Sequence, residues 1–223
     1  MTVGWGTLAY GLAAGAQLGL ALVFLLNGAR ARRFDALMTS LAFYAFSMGL
    51  VAIVTARLHV SSSLSDYADW IRILGLGSLV SIVALVALIA VWTASIPRMV
   101  LVVFAVATAV IAVLQLTLPN GLLVGEIDRL REVALLGDRF AVHEGSSSSW
   151  RPVLDVYLLF TFAVVVVAIV RGYRSGHRTN SMLMAATLAV TIGSSYYDSL
   201  VDFGIAATPY LAPFGALAPA IAG

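Results

Sequence analysis

The sequence predicts an all-α integral membrane protein: a bundle of seven transmembrane helices, N-terminus outside, with a small extracytoplasmic β-hairpin-like loop between the fourth and fifth helices. Three observations carry this expectation. Seven apolar stretches fill the chain, and almost every charged residue falls in the short gaps between them. Of the 223 residues, 61% are hydrophobic and only 11% charged, whereas about a quarter of an ordinary soluble domain is charged. The runs are also continuous rather than alternating with period two, which selects helices over barrel strands. A hydrocarbon core about 30 Å thick takes roughly 20 apolar residues to cross as a helix.

The first run covers residues 4–26. It lacks a basic leader and a small-residue cleavage site, so it reads as a span and not a signal peptide. Gly11, Gly15 and Gly19 recur every fourth residue, a stripe expected to let a neighbouring helix approach closely. Gln17 and Asn27 are lone polar residues there, expected in interhelical hydrogen bonds or a cap. The second run covers 36–56. After it come Arg57, His59, a serine-rich turn, Asp66, Asp69 and Trp70, which read as an outer loop entering a helix. Asp66 is the expected N-cap, and His59 is expected to be a solvated loop residue, its spacing to the aspartates matching no metal-ligand pattern.

The third and fourth runs cover 73–93 and 100–118. The one long connection, 119–152, contains β-like pieces at 127–135 and 140–143, with Gly137-Asp138 between them as a hairpin turn. Loops of this size in compact proteins are usually functional or disordered; this one is expected to cap the outer mouth of the bundle. Ser146 to Ser149 read as a flexible lead into the fifth run, 153–170, with Trp150 at the membrane interface.

The sixth run, 181–201, is the least lipid-like. Thr191, Ser194, Ser195, Asp198 and Asp202 share one helical face, with Tyr196 and Tyr197 beside them. Charge at membrane depth is costly, so such residues face a bundle interior or a water-filled cavity. Two carboxylates one turn apart repel each other unless one is protonated or an arginine lies between them. One reading is that these acids, Asp202 above all, have left the hydrocarbon and only cap or hydrate the helix end. The functional reading is a ligand pocket of Asp198, Asp202, Tyr197 and Tyr210, with Arg57 or Arg139 as counter-charge. The seventh run begins near Thr208. Residues 1–223 are read as one domain.

Short basic loops stay in the cytoplasm. Arg30, Arg32, Arg33, Arg98, Arg171, Arg174 and Arg178 lie in loops that contain no acid besides Asp35. The other loops are dominated by Asp66, Asp69, Glu126, Asp128, Glu132, Asp138 and Glu144. This places the N-terminus outside and the end of the seventh helix in the cytosol. Absences narrow the chemistry further. All 13 basic residues are arginine and there is no cysteine, so a lysine Schiff base, a disulfide and a cysteine metal site are excluded. The net charge of +2 is small and scattered, which argues against nucleic acid. No histidine falls inside a span to serve as an intramembrane base, and no cofactor is expected.

The run Glu126-Ile127-Asp128-Arg129-Leu130-Arg131 is followed by Gly137-Asp138-Arg139-Phe140, then Glu144-Gly145 and Trp150. Arg171-Gly172-Tyr173-Arg174 follows the fifth helix. Leu200-Val201-Asp202-Phe203-Gly204 and Pro209-Tyr210-Leu211 lead into the seventh. Together these resemble the N-terminal seven-transmembrane-helix input region of bacterial membrane-bound sensor histidine kinases and diguanylate cyclases, over the second half of the chain in motifs and over the first half in layout. The resemblance makes Asp202, Gly204, Pro209 and Tyr210 the family-like outer turn. Tyr197 and Asp198 stand where many relatives have a small residue and a histidine. It implies a multi-pass protein of the bacterial inner membrane that binds a small-molecule or lipid-like ligand at its outer face and signals to a cytoplasmic output domain of a two-component or cyclase system. The bundle itself would not be an enzyme. Membrane lipid is the other expected partner, and a homodimer is compatible with the reading. The rival expectation is a small membrane transporter or channel with the polar stripe of the sixth helix lining a path. Against it, Met182 to Val190 is apolar apart from Thr187.

Overall fold

The structure, a computed structural model, describes residues 5–30, 35–135, 138–176, 178–202 and Phe214. Among these the chain forms α1 (Trp5–Arg30), α2 (Ala36–His59), α3 (Leu64–Thr93), α4 (Arg98–Thr117), β1 (Val124–Leu135), β2 (Asp138–Ser147), α5 (Arg151–Arg174) and α6 (Arg178–Asp202). The five helices α1 to α5 are each long and apolar enough to cross a membrane. The described apolar part of α6, Ser181–Ser194, is shorter.

Local chemistry sets the helix ends. Asp35 caps α2, its carboxylate accepting from Leu37 N at 2.9 Å and Met38 N at 3.3 Å. The cap of α3 is Ser63, which accepts from Asp66 N at 3.1 Å, so Asp66 lies in the first turn and is not the cap. As a result α3 begins at Leu64, well before its apolar run. The additional turns bury Tyr67 and Ile71, and Asp66 Oδ1 accepts from the Trp70 indole at 3.1 Å. At its other end α3 stops at Ala94, whose left-handed backbone (φ 48°) breaks the helix.

Two small-residue faces compete on α1, and the alanine face packs. Tyr10, Ala13, Ala14, Gln17, Ala21 and Phe24 are buried, with Leu41, Ala42, Ala45, Met48 and Ala52 buried on the α2 side. Gly49 is where the two backbones come close: a Cβ there would press on the Leu18 side chain at 3.0 Å. Gly11, Gly15 and Gly19 are exposed, and a Cβ at any of them would meet nothing within 4 Å. Among the described residues the glycine stripe is thus not a packing face.

α3 is central, touching α2, α4 and α5, while α6 joins through α5. One apolar core runs through all six helices, with Phe24, Met48, Leu88, Ile111, Val165 and Met184 among its members. Polar side chains stitch it together. Thr108 of α4 and Tyr157 of α5 share a hydrogen bond of 2.9 Å, and Phe104 stacks on the Tyr157 ring. Ser95, after α3, donates to Ala168 O of α5 at 3.0 Å. By contrast, the outward face of α4 is bare aliphatic surface, with Val102, Val106, Val110, Val113 and Leu116 all exposed. An apolar surface of that extent is what acyl chains cover.

β1 and β2 form an antiparallel two-stranded sheet. The strands are longer than their apolar pieces suggest. Asp138 pairs with Leu135 as the first residue of β2, and Ser146 and Ser147 pair with Glu126 and Val124. The serine run is therefore strand through Ser147, and Ser148 is buried, its backbone N–H donating to Leu123 O at 3.3 Å. Two register shifts, between Val124 and Glu126 and between Ile127 and Arg129, bend β1. β2 contacts α1, α2 and α6, and β1 contacts α3. The hairpin thus lies across one end of the bundle. At the other end lie Arg30, Arg98, Arg171, Arg174 and Arg178.

Candidate functional site

The site is the joint between the hairpin and the helix ends beneath it. Phe140, Ala141 and Val142 are consecutive and all buried. Successive strand residues point to opposite faces, so this stretch of β2 is covered on both. Leu58 of α2, Tyr67 and Ile71 of α3, Val124 and Val133 of β1, and Ala141 and Val142 form a second apolar cluster. This cluster makes the loop a folded cap.

His59 fastens the cap to two helices. It ends α2 and is 1% exposed, so it is no solvated loop residue: the helix continues past Ala56 and carries the ring under β2. Its Nδ1 lies 3.2 Å from Ala141 O and its Nε2 lies 3.4 Å from the Tyr10 hydroxyl of α1. A carbonyl can only accept, so Nδ1 carries the proton, and Nε2 of the neutral ring accepts from Tyr10. The edge of Phe140 meets the imidazole at a centroid distance of 5.1 Å. Phe214, from the last apolar stretch, packs on Tyr10 at 5.1 Å.

A second tyrosine–histidine pair joins α3 to β2. The buried Tyr67 hydroxyl lies 3.3 Å from His143 Nδ1 and accepts from His143 N at 3.4 Å. The one hydroxyl thus holds both the backbone and the ring of His143 against α3.

Gln115 near the end of α4 anchors the base of the hairpin. Its amide donates to Arg72 O of α3 at 3.2 Å, and its oxygen accepts from Leu122 N at 2.8 Å. Arg72 returns a bond to Leu116 O at 2.8 Å. The Gln115 amide fills the space that a Cβ would take at both Gly75 and Gly121. Gly121 also holds φ at +78°, a conformation that favours glycine.

The sequence-predicted pocket residues fall as follows. Tyr197 is half-buried against the hairpin cluster. Asp198 and Asp202 lie in the last turns of α6, whose residues meet β2, but their side chains lie outside the described set, as does all of Tyr210. Arg57 is exposed in the last turn of α2, and no ion pair joins it to an acid among the described residues. Arg139 pairs with Glu132 at 3.0 Å, both well exposed. Neighbouring Arg129 and Arg131 both pair with Glu144. Among the described residues no group of three or more His, Asp or Glu side chains is placed to hold a metal ion.

Sequence reasoning missed Tyr10, His59, Tyr67, His143 and Gln115 as the residues that assemble the joint. The available signal was that Tyr10 and Gln115 lie near the hairpin ends of their apolar runs, and His59 and Tyr67 just beyond theirs, where a partner from another segment could meet them. No protein-family profile, curated protein or solved structure matches this chain.

Proposed function

We propose that this chain is a membrane-embedded sensory input module: a ligand acting at the hairpin cap biases two packings of the helices, and the shift passes to a cytoplasmic partner. The observation that carries the reading is the cap itself. A hairpin packed on α1, α2, α3 and α6 at once gives a ligand at one end of the bundle a mechanical route into four helices. Tyr197 of α6 sits in that contact, next to the acidic turn of Asp198 and Asp202.

Seven spans, with the last apolar stretch as the seventh, and an outward-facing hairpin complete the proposal. Supporting this orientation, the helix ends remote from the hairpin carry arginine, which short cytoplasmic loops favour. The membrane is the bacterial inner membrane, the ligand is small or amphipathic, and the bundle is not catalytic.

Because the chain has no cysteine, label pairs can be introduced without background. We expect the pair Ser146→Cys and Arg178→Cys, spin-labelled in nanodiscs, to show two populated distances whose ratio changes with a stabilising ligand found by melt screening. A single distance unmoved by any stabilising compound, or solute flux in proteoliposomes, would overturn the reading in favour of a transporter or channel.

A further inference from the structure

The base of the hairpin and the start of α5 enclose a partly open cleft of about 160 Å³. Roughly 10–15 Å³ of such volume holds one water, so the cleft has room for a small ion and part of its hydration shell. Leu123 and Val124 form its apolar wall; His143, Ser146, Ser147 and Arg151 supply the polar groups, and no carboxylate lines it.

We propose that this cleft binds a small oxyanion, a phosphate or carboxylate group, with Arg151 as its principal contact. The Arg151 side chain is 19% exposed, and Asp155 one turn along α5 braces it with Oδ1 3.9 Å from Nε. A guanidinium offers a planar fork of donors that matches oxyanion geometry. Arg151 is also the first residue of α5, where the helix dipole adds positive potential.

His143 lines the same cleft, its Nδ1 held 3.3 Å from the Tyr67 hydroxyl, and a protonated ring nitrogen is a donor to an oxyanion. Ser146 Oγ accepts from Glu126 N at 3.3 Å and keeps its own hydroxyl proton to donate. A guanidinium, an imidazole and serine hydroxyls line one small cleft whose lining residues include no carboxylate. The site stands whether or not the chain is a receptor.

The oxyanion could be free in solution or part of a lipid headgroup, since Trp150, exposed beside Arg151, suits the membrane interface. The full chain in non-ionic detergent is melted against inorganic phosphate, against acetate, and against phosphatidylglycerol doped into the micelles, each compared with chloride at equal ionic strength. A ligand that binds only the folded state raises the midpoint. We expect such a rise in at least one arm: with phosphate or acetate for a free anion, with phosphatidylglycerol alone for a headgroup. Arg151→Gln should weaken the apparent affinity by about tenfold or more, the scale of one charge-assisted hydrogen bond. Should Arg151→Gln fail to fold, His143→Gln and the exposed-site variant Ser147→Val carry the same test. No rise beyond chloride in any arm, or an equal rise in the variants, overturns the proposal.

Discussion

The Nδ1 of His59 lies 3.2 Å from the carbonyl oxygen of Ala141. This one hydrogen bond joins the last residue of α2 to the middle of β2, across 82 positions of sequence. The same ring meets Tyr10 of α1, so helix pair and hairpin share a fastener.

His59→Ala should therefore loosen the cap more than the bundle. Leaving a buried acceptor unsatisfied costs about 1–3 kcal/mol, or roughly a 5- to 150-fold rise in the locally open population. Limited proteolysis in right-side-out vesicles should show cleavage within residues 124–147 accelerating by that order while the helices stay intact. Unchanged cleavage would mean the bond does not hold the hairpin.

Gly75→Ala and Gly121→Ala should each displace the Gln115 amide and free Leu122 N, at a cost of about 1–3 kcal/mol. Gly121→Ala adds the strain of φ +78°. The check is a double-mutant cycle read by thermal unfolding. If Gly75 is small to make room for Gln115, then Gly75→Ala costs much less once Gln115→Ala is present. Simple additivity would contradict the wedge.

Tyr157→Phe removes the bond to Thr108 between α4 and α5. Interhelical hydrogen bonds in membranes average about 0.6 kcal/mol, so a small loss of unfolding free energy is expected, and none when Thr108→Val is already present. A loss above about 2 kcal/mol would point to a role beyond packing.

The glycine stripe of α1 and Gly49 of α2 should respond oppositely to alanine. At Gly11, Gly15 and Gly19 a Cβ meets open space, and each change should be neutral or stabilise the helix by about 0.5–1 kcal/mol. At Gly49 the Leu18 side chain lies 3.0 Å from that Cβ, so Gly49→Ala should destabilise. Melting temperatures in detergent separate the two signs.

The five long apolar helices and the hairpin were legible in the sequence because each announces itself within its own segment, by apolar length or by strand-like pieces around Gly137-Asp138. The joint was not. Tyr10 and His59 are 49 positions apart, and periodicity along one helix carries no term for a partner on another. α1 offers two small-residue stripes, and Leu18 lodging against Gly49 of α2 decides between them. His59 looked solvated because it follows the apolar run, yet the hairpin that buries it arrives some 80 residues later. Of the residues expected in the pocket, Tyr197 packs against the hairpin cluster and Arg139 pairs with Glu132 at the surface.

Hydrogen–deuterium exchange of the intact chain in nanodiscs tests the central claim most directly, because a hairpin locked to four helices must open as a unit. Backbone amides of Glu132 to Leu135 and of Arg139 to Val142 should be protected together, and His59→Ala should release them together while α3 and α5 keep their protection. Amides of this segment that exchange at the rate of an unstructured peptide in the wild-type chain would contradict it.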